Sequence, residues 1–451
     1  MPESRLRRPT TGLWNHPDFL KLWAGQSISE FGSQVSGLAI PWLAAVGLHA
    51  SPFAFSLLTV LGFLPFIFFA LPAGVWVDRL RRRPILIIGD AGRAVLLAYI
   101  PIAWAGGWLE IYQLLGLSFA IGVLTVFFDV AYQSYLPALV DREALVEGNS
   151  KLQTTVSAAN VGGPPISGVL ISALTAPYAI VVDAISFVLS TLFMLRIRQP
   201  EVLPEKTVST AKPKMWPELK EGLRFVTRHH HLKWIAMCTG TSNFFGQIAF
   251  AIGILFMQRT LHLSSFWVGF VFTGFGVGSI IGALTASRYQ RLVGGVGRAI
   301  WTTSVMFSAG TFAFPLAHRG YAVPLLFAGT LVIGFGGMAY NIAQVSYRQA
   351  ICPERLQGRM NATMRWIVWG TIPLGGLLGG ALGEWTSLRT ALWVGAIGSI
   401  GTFLPVLLTS VREIKEIPKA VEEPLPMEAD AAGGLVEPTT SPLAGAAPAD
   451  A

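Results

Sequence analysis

The sequence predicts an all-α membrane protein, with twelve transmembrane helices arranged as two pseudo-symmetric six-helix bundles. Three observations lead to this fold class. Of the 451 residues, 52% are hydrophobic and only 13% are charged, whereas soluble domains have about 25% charged residues. Long apolar runs recur along the chain, and a helix needs about 20 such residues to cross a bilayer. Residue types in the second half also repeat those of the first half at a constant offset.

The apolar runs define the predicted membrane spans one by one. The first run is too long to be the apolar core of a signal peptide, so it is expected to remain as an uncleaved span. The predicted spans are residues 22–46, 54–77, 85–105, 111–136, 153–174, 177–195, 234–256, 266–286, 299–317, 323–346, 366–383 and 390–410.

The turn between the second and third spans predicts the orientation of the chain. Residues 74–83 carry four arginines, and short basic loops stay on the cytoplasmic side of a membrane. Both termini are then cytoplasmic, and few of the 33 Lys and Arg residues face outward. The outward-facing cations are Arg259, Arg319 and Arg389. The net charge of +8 is therefore explained by orientation and by anionic lipid headgroups, not by nucleic acid.

The polar stretches between and beyond the spans predict the domain organisation. Within the central stretch, Pro217 can open a helix, and an apolar face formed by Trp216, Leu219, Leu223 and Val226 predicts an amphipathic surface helix. The predicted units are a cytoplasmic segment at 1–17, a six-helix bundle at 18–195, a cytoplasmic loop at 196–233, a second bundle at 234–411 and a disordered cytoplasmic tail at 412–451.

The internal repeat locates the predicted binding site. An offset of 212 residues carries Gly163 onto Gly375 and Gly168 onto Gly380. Transporters built from duplicated units bind their substrate between the repeats, near the middle of the membrane. The site is therefore expected between the two bundles.

Two acidic residues inside spans are the candidates for proton coupling. Glu30 lies on a polar stripe with Gln26 and Gln34, because residues four apart share a helix face. Asp129 and Gln133 form a similar stripe in the fourth span. Ionisable residues within a span usually face a cavity or the bundle interior. A structural acid that hydrogen-bonds to a neighbouring helix is the alternative for each.

The remaining polar and aromatic residues predict the character of the cavity. A mainly apolar lining with a few polar points favours an amphipathic substrate, and aromatic rings could also bind a cation. The predicted polar points and aromatic contact are Gln26, Gln34, Phe31, Gln133, Asn243, Gln247, Asn341 and Gln344. Consecutive histidines at 229–231 point in different directions on a helix, so a solvated run is expected there and no metal site.

Several motifs resemble those of a known transporter group. Gly74-x-x-x-Asp78-Arg79-x-x-Arg82-Arg83 resembles the loop signature of the major facilitator superfamily, although Arg81 stands where glycine is usual. Residues 162–168 resemble its antiporter motif. Residues 19–32, 183–187 and 357–359 are similar to the bacterial drug:proton antiporter branch, which includes macrolide exporters.

The resemblance implies a major facilitator fold in the bacterial inner membrane and assigns roles to residues. It implies a gating motif at Gly74, Asp78, Arg79, Arg82 and Arg83, and proton coupling by Glu30 and Asp129. It also implies helix-switch residues at Gly162, Gly163, Pro164 and Gly168. For Asp183 it implies helix packing or gating.

The predicted function is secondary active efflux of an amphipathic, drug-like compound by proton antiport with alternating access. The partners are then the substrate, protons and membrane lipids, and the protein is expected to be monomeric. No nucleotide-phosphate loop or catalytic constellation is recognised, so neither a cofactor nor an enzyme is expected. The alternatives are a dedicated exporter of a native compound such as a siderophore or lysophospholipid, and a transport-inactive sensor or scaffold.

Overall fold

The computed structural model describes residues 12–77, 80–199 and 215–416, and these residues form helices joined by short connections. The predicted terminal segments lie largely outside the described residues. Asp78 and Arg79 of the predicted gating motif also lie outside them.

The first half contains six long helices. A 3-10 turn, Leu13–Asn15, precedes α1, and the His16 side chain accepts a hydrogen bond from the Phe19 backbone at the start of that helix. A π-helical turn, Leu43–Gly47, ends it. The helices are α1 (Pro17–Trp42), α2 (Pro52–Val77), α3 (Arg82–Ala105), α4 (Ile111–Leu139), α5 (Leu145–Leu174) and α6 (Ala176–Leu195), with a 3-10 turn at Arg142–Ala144 before α5.

The second half repeats this pattern after one shorter helix. Two of its six spans are divided into a long and a short segment. The elements are α7 (Met215–Arg228), α8 (Leu232–Arg259), α9 (Ser265–Leu292), α10 (Val296–Thr311), α11 (Ala313–Leu316), α12 (Ala322–Ile351), α13 (Glu354–Trp385), α14 (Leu388–Ile400) and α15 (Leu404–Leu407), followed by a 3-10 turn at Ser410–Glu413.

The predicted all-helical membrane fold is confirmed, and the described helices follow the order of the predicted spans. Ten helical segments of the described residues, and not twelve, are long and apolar enough to cross a membrane by length and composition. The 26-residue α1 and the 30-residue α5, at the first and fifth predicted spans, are more polar and are not among these ten. Several helices extend beyond their apolar runs, because α5, α9 and α13 continue as polar helix at one end of the bundle. The chain is a multi-pass membrane protein.

Equivalent glycines make equivalent contacts in the two halves. A Cβ built at Gly163 would clash with Gln34 of α1, and one at Gly375 would clash with the Phe244 backbone of α8. Because α1 and α8 are the first spans of their halves, Gly163 and Gly375 each pack against a helix of their own half.

Gly168 and Gly380 instead pack across the boundary between the two halves. A Cβ at Gly168 would lie 2.6 Å from the Ser265 carbonyl oxygen of α9, and one at Gly380 would clash with Ser56 of α2. Small residues let transmembrane helices approach this closely. The halves therefore join through α5 with α9 and through α2 with α13.

Among the described residues, the buried hydrophobic core is continuous across the two halves at one end of the bundle only. The arginine-rich end is the end that carries the turn between α2 and α3, and the opposite end carries residues 48–51 between α1 and α2. At the opposite end, one continuous cluster of buried side chains includes residues of both halves. At the arginine-rich end, the buried side chains form one cluster in each half. The described residues therefore show a bundle that is closed at the opposite end and parted at the arginine-rich end.

Polar contacts reinforce the closed end. The Arg259 guanidinium of α8 donates to the carbonyl oxygens of Ala45 and Ala50, at 3.1 and 2.8 Å. These carbonyls lie at and after the π-helical turn that ends α1, where backbone acceptors lack intrahelical partners. The Glu384 carboxylate of α13 accepts a hydrogen bond from the Phe53 backbone N–H, at 3.2 Å, at the start of α2. Both contacts join the two halves.

The amphipathic helix α7 forms, and its predicted apolar face is buried in part. Val226 of that face is buried, together with Phe225, whereas Leu223 is 39% exposed. The side chains of Trp216 and Leu219 lie outside those that the structure describes. The buried face also carries Gly222, where a Cβ would clash with Thr363 of α13. The helix therefore packs against α13, which accounts for the burial of Phe225 beside Val226.

Candidate functional site

A buried ion pair lies at the centre of the first half. The Arg93 guanidinium donates to the Asp90 carboxylate at 2.5 Å, one helical turn away on α3. The Ser190 hydroxyl of α6 donates to the other Asp90 oxygen at 2.6 Å. The Arg93 side chain also lies over the rings of Phe128 and Phe187, each 4.3 Å from the guanidinium carbon. Asp90 is completely buried and Arg93 is 7% exposed.

Glu30 and Asp129, the two predicted proton carriers, are neighbours of this ion pair. Both are half-buried. Glu30 lies within electrostatic range of Asp129 and Arg93 and has Gln26 as a polar neighbour. The side-chain amide oxygen of Gln26 is buried without a hydrogen-bond partner. The structure thus brings together two carboxyl groups that the sequence placed on separate spans.

Asp183 lies further along α6, where it packs against α1. It is 1% exposed and accepts a hydrogen bond from the Ser186 hydroxyl at 3.0 Å. A Cβ built at Gly32 would lie 2.5 Å from the Asp183 carboxylate, so the glycine is needed for close packing here. This arrangement supports a packing role for Asp183.

A cavity of about 710 Å³ lies mainly in the second half. It is lined by parts of α8, α9, α10, α12 and α13, and Asn160 of α5 contributes from the first half. Three predicted polar points line it, namely Asn243, Asn341 and Gln344. Its lining extends along α12 from mid-helix Gly337 to Gln349, near the arginine-rich end.

The other predicted cavity residues lie elsewhere. Gln34 donates to the Asn160 side chain at 3.0 Å, so it reaches the edge of the cavity through that residue. Gln247 packs beside Gly375. Phe31 lines a separate apolar groove between α1, α5 and α6, and Gln133 is exposed on α4. Periodicity placed these residues on polar or aromatic faces but could not show which neighbour each face meets.

Sequence reasoning missed the cations of the cavity. Arg348 of α12 and Arg365 of α13 both line it. The Arg365 guanidinium lies over the Trp369 ring, 5.0 Å from the ring centre. Both arginines were interpreted only as part of the cytoplasmic basic bias. Their positions on helices that extend inward from the arginine-rich end are the signal that could have distinguished them from loop cations.

The described parts of the predicted gating motif lie at the arginine-rich end. A Cβ built at Gly74 would have no atom of the described residues within 4 Å. Arg83 donates to the carbonyl oxygens of Met194 and Leu195, at 3.1 and 2.8 Å, and joins the start of α3 to the end of α6. Arg82 lies beside it at the start of α3.

The helix-switch residues lie along α5, where two helices approach closely. Gly163 packs on α1 and Gly168 on α9, while the Pro164 carbonyl oxygen contacts the position of a Cβ at Gly269. Gly162 has more room, because a Cβ there would be 3.7 Å from Phe31. Three of the four positions are therefore at tight contacts.

Two of the three histidines between α7 and α8 are more buried than expected. The His231 ring contacts the Tyr347 hydroxyl at 2.5 Å and the Ser410 hydroxyl at 3.1 Å. The His229 Nδ1 accepts a hydrogen bond from the His231 backbone at 3.2 Å. Burial, reinforced by the neighbouring histidines, lowers the pKa of His229 to about 4. His229 and His231 therefore serve the helix junction, whereas His230 is exposed, as expected for a solvated run.

The profile of the transmembrane secretion effector family, within the major facilitator superfamily, matches residues 12–437. The chain belongs to this family. Membership confirms the predicted superfamily, its fold and a non-enzymatic transport protein.

The chain is also similar to individual transporters of this superfamily. It is 26% identical over 397 residues to the multidrug efflux pump Tap of Mycolicibacterium fortuitum, covering 83% of this chain and 93% of Tap. It is 22% identical to macrolide efflux protein A of Streptococcus pyogenes, covering 88% and 97% of the two chains. The solved nucleoside transporter NupG superposes with a TM-score of 0.68 at 13% identity, covering 87% and 98% of the two chains.

Proposed function

We propose that this protein is a secondary active exporter that moves an amphipathic compound out of the cell in exchange for protons. Export is supported by the names of relatives, which include a multidrug efflux pump and a macrolide efflux protein. Proton exchange is supported by the acidic cluster of the first half, and alternating access by the way the two halves meet.

The arginine-rich end faces the cytoplasm in this proposal, because short basic loops remain there. The structure then corresponds to an inward-facing state, with the cavity of the second half reachable from the cytoplasm. Rocking of the halves about the α5–α9 and α2–α13 contacts would open the opposite end, as expected for transporters built from repeats. Gly74 would then approach the other half.

Proton coupling is supported by the excess of carboxyl groups over cations in the cluster of the first half. Arg93 interacts electrostatically with Asp90, Glu30, Asp129 and Asp183. Its closest partner is Asp90, which leaves Glu30 and Asp129 without a cation of their own among the described residues. Unbalanced charge inside a membrane is expensive. The cluster is balanced only when it also binds protons, and this requirement suits it to exchange them.

Proton flux into liposomes that contain the purified protein tests this proposal. A pH-sensitive dye should report proton movement when an amphipathic compound that the protein transports is added. Glu30→Gln should abolish most of that signal because the amide cannot carry a proton, and Asp129→Asn should reduce it. Glu413→Gln, at an exposed acid outside the spans, is the matched control. Wild-type proton flux in both Glu30→Gln and Asp129→Asn would refute coupling through this cluster.

A further inference from the structure

The cavity of the second half has a cationic lining. Arg348 and Arg365 contribute two guanidinium groups, and no acidic side chain is among the described residues that line it. The two cations lie within electrostatic range of each other. Among the described residues, neither forms an ion pair. Like charges in a partly buried site repel, so this cavity would be stabilised by a bound anion.

The hydrogen-bonding groups of the cavity are also incomplete. The Arg348 Nε and the side-chain amide oxygen of Gln344 are buried without hydrogen-bond partners. Gln344 is 4% exposed and lies one turn before Arg348 on α12. Buried polar groups are normally satisfied, and unsatisfied ones call for an explanation. Arginines that served only to orient the chain would have solvated guanidinium groups, which does not describe the buried Nε of Arg348.

We infer that this cavity binds the carboxylate or phosphate of the transported compound between Arg348 and Arg365. Guanidinium groups suit such anions because their donors can pair with two oxygens at once. The Ser242 hydroxyl can donate to the same anion, and the rings of Trp369 and Phe307 supply an apolar surface for the rest of the compound. This inference rests on the proposed transport function and names its substrate class. It replaces the expectation of a cationic substrate held by aromatic rings.

The affinity for three matched probes tests the inference. The probes 2-naphthoate, 2-naphthylmethanol and 2-naphthylmethylammonium share one bicyclic body and differ in charge. Calorimetry with the purified full chain in phosphatidylcholine nanodiscs gives a Kd for each. We expect 2-naphthoate to bind about tenfold more tightly than the other two, as charge-assisted hydrogen bonds contribute at least that much.

Variants of Arg348 connect the preference to this cavity. Arg348→Gln should raise the Kd of 2-naphthoate about tenfold and leave the neutral probe nearly unchanged. Arg348→Glu should reverse the preference in favour of the ammonium probe. Arg291→Gln, at an exposed arginine near the same end but outside the cavity lining, is the matched control and should behave as wild type. Elution as a single species by gel filtration verifies that each variant is folded.

Nanodiscs that contain phosphatidylglycerol distinguish a soluble anion from a lipid headgroup. Unchanged affinity for 2-naphthoate supports a soluble substrate, whereas competition by the lipid overturns the assignment to the transported compound. Equal Kd values for the three probes, tighter binding of the ammonium probe, or no binding of 2-naphthoate up to its solubility limit would each overturn the anion site. Proton flux in liposomes is measured separately. A result that refutes proton coupling there would not change the affinities measured here, so the two proposals can fail independently.

Discussion

The two halves share one architecture but differ in the surroundings of an arginine that each contains, since Arg93 is buried and Arg348 is half-buried. In the first half, Arg93 is enclosed by Asp90, Phe128 and Phe187, and its charge is paired. In the second half, Arg348 lines a large cavity and its Nε has no hydrogen-bond partner. A charge that is satisfied within the protein contributes to its structure, whereas an unsatisfied charge facing a cavity is available to a ligand.

This difference separates two tasks within a duplicated scaffold. The glycine contacts at the boundary are equivalent in both halves, so the two interfaces between the halves are built alike. The polar residues have diverged, with carboxyl groups clustered in the first half and amide, hydroxyl and guanidinium groups around the cavity of the second. Proton exchange and substrate binding are thereby assigned to different bundles in our proposals.

Removal of each of these arginines should produce the largest contrast between the halves. Arg93→Leu leaves the completely buried Asp90 without its cation, and breaking a buried pair in this way costs about 3–5 kcal/mol. Arg348→Leu removes a charge that has no partner among the described residues, so the free energy of unfolding should change by less than about 1 kcal/mol. Unfolding in mixed detergent micelles measures both values.

The double variant Asp90→Asn/Arg93→Leu is the control for this comparison. Because neither charge remains, it should regain much of the stability lost in Arg93→Leu. Equal destabilisation by Arg93→Leu and Arg348→Leu would contradict the division between a paired and an available arginine.

Alanine at the boundary glycines should shift the conformational equilibrium by a smaller amount. Gly168→Ala and Gly380→Ala place a methyl group against the other half, and overpacking of this kind costs roughly 1–3 kcal/mol. Each should therefore disfavour the state that is closed at the opposite end. Spin labels at Tyr178→Cys and Tyr321→Cys, both exposed at that end in different halves, report the separation.

Gly162→Ala is the matched control on the same helix. A Cβ at this position would make ordinary contact with Phe31 at 3.7 Å, so the label separation should remain that of wild type. A shift as large as that of Gly168→Ala would show that any added methyl group on α5 perturbs the bundle, and the equivalence of the two boundary contacts would lose its support.

The fold was predictable because the physics of the bilayer acts on local sequence. Apolar runs of sufficient length gave the spans, and the repeat of Gly163 and Gly168 at Gly375 and Gly380 gave the symmetry. The helix ends were less predictable, since α13 begins at Glu354 whereas its apolar run begins near residue 366. Hydropathy predicts the part of a helix that crosses the membrane, but it does not predict how far the same helix continues into water.

The site was predictable only where a polar residue lay deep inside an apolar run. Glu30 and Asp129 stood out for this reason, and the structure brings them near each other. The pairing of Asp90 with Arg93 on adjacent turns of α3 was visible as spacing, but its burial by Phe187 of α6 depends on tertiary packing. For Arg348, the known excess of basic residues at cytoplasmic helix ends was enough to explain an arginine at this position. The buried Nε without a hydrogen-bond partner, which supports a role in ligand binding, is visible only in the structure.

The smallest effect is expected from the loss of the Arg259 hydrogen bonds, which join the two halves. Arg259→Met removes the donor that joins α8 to the carbonyl oxygens of Ala45 and Ala50. The net contribution of such hydrogen bonds is about 1 kcal/mol, so the labels at the opposite end should show a modest gain of the separated state. Arg319→Met is the matched control, because Arg319 contacts the Thr260 carbonyl oxygen of its own half. If both variants moved the labels equally, the Arg259 contact would be no part of the closure between the halves.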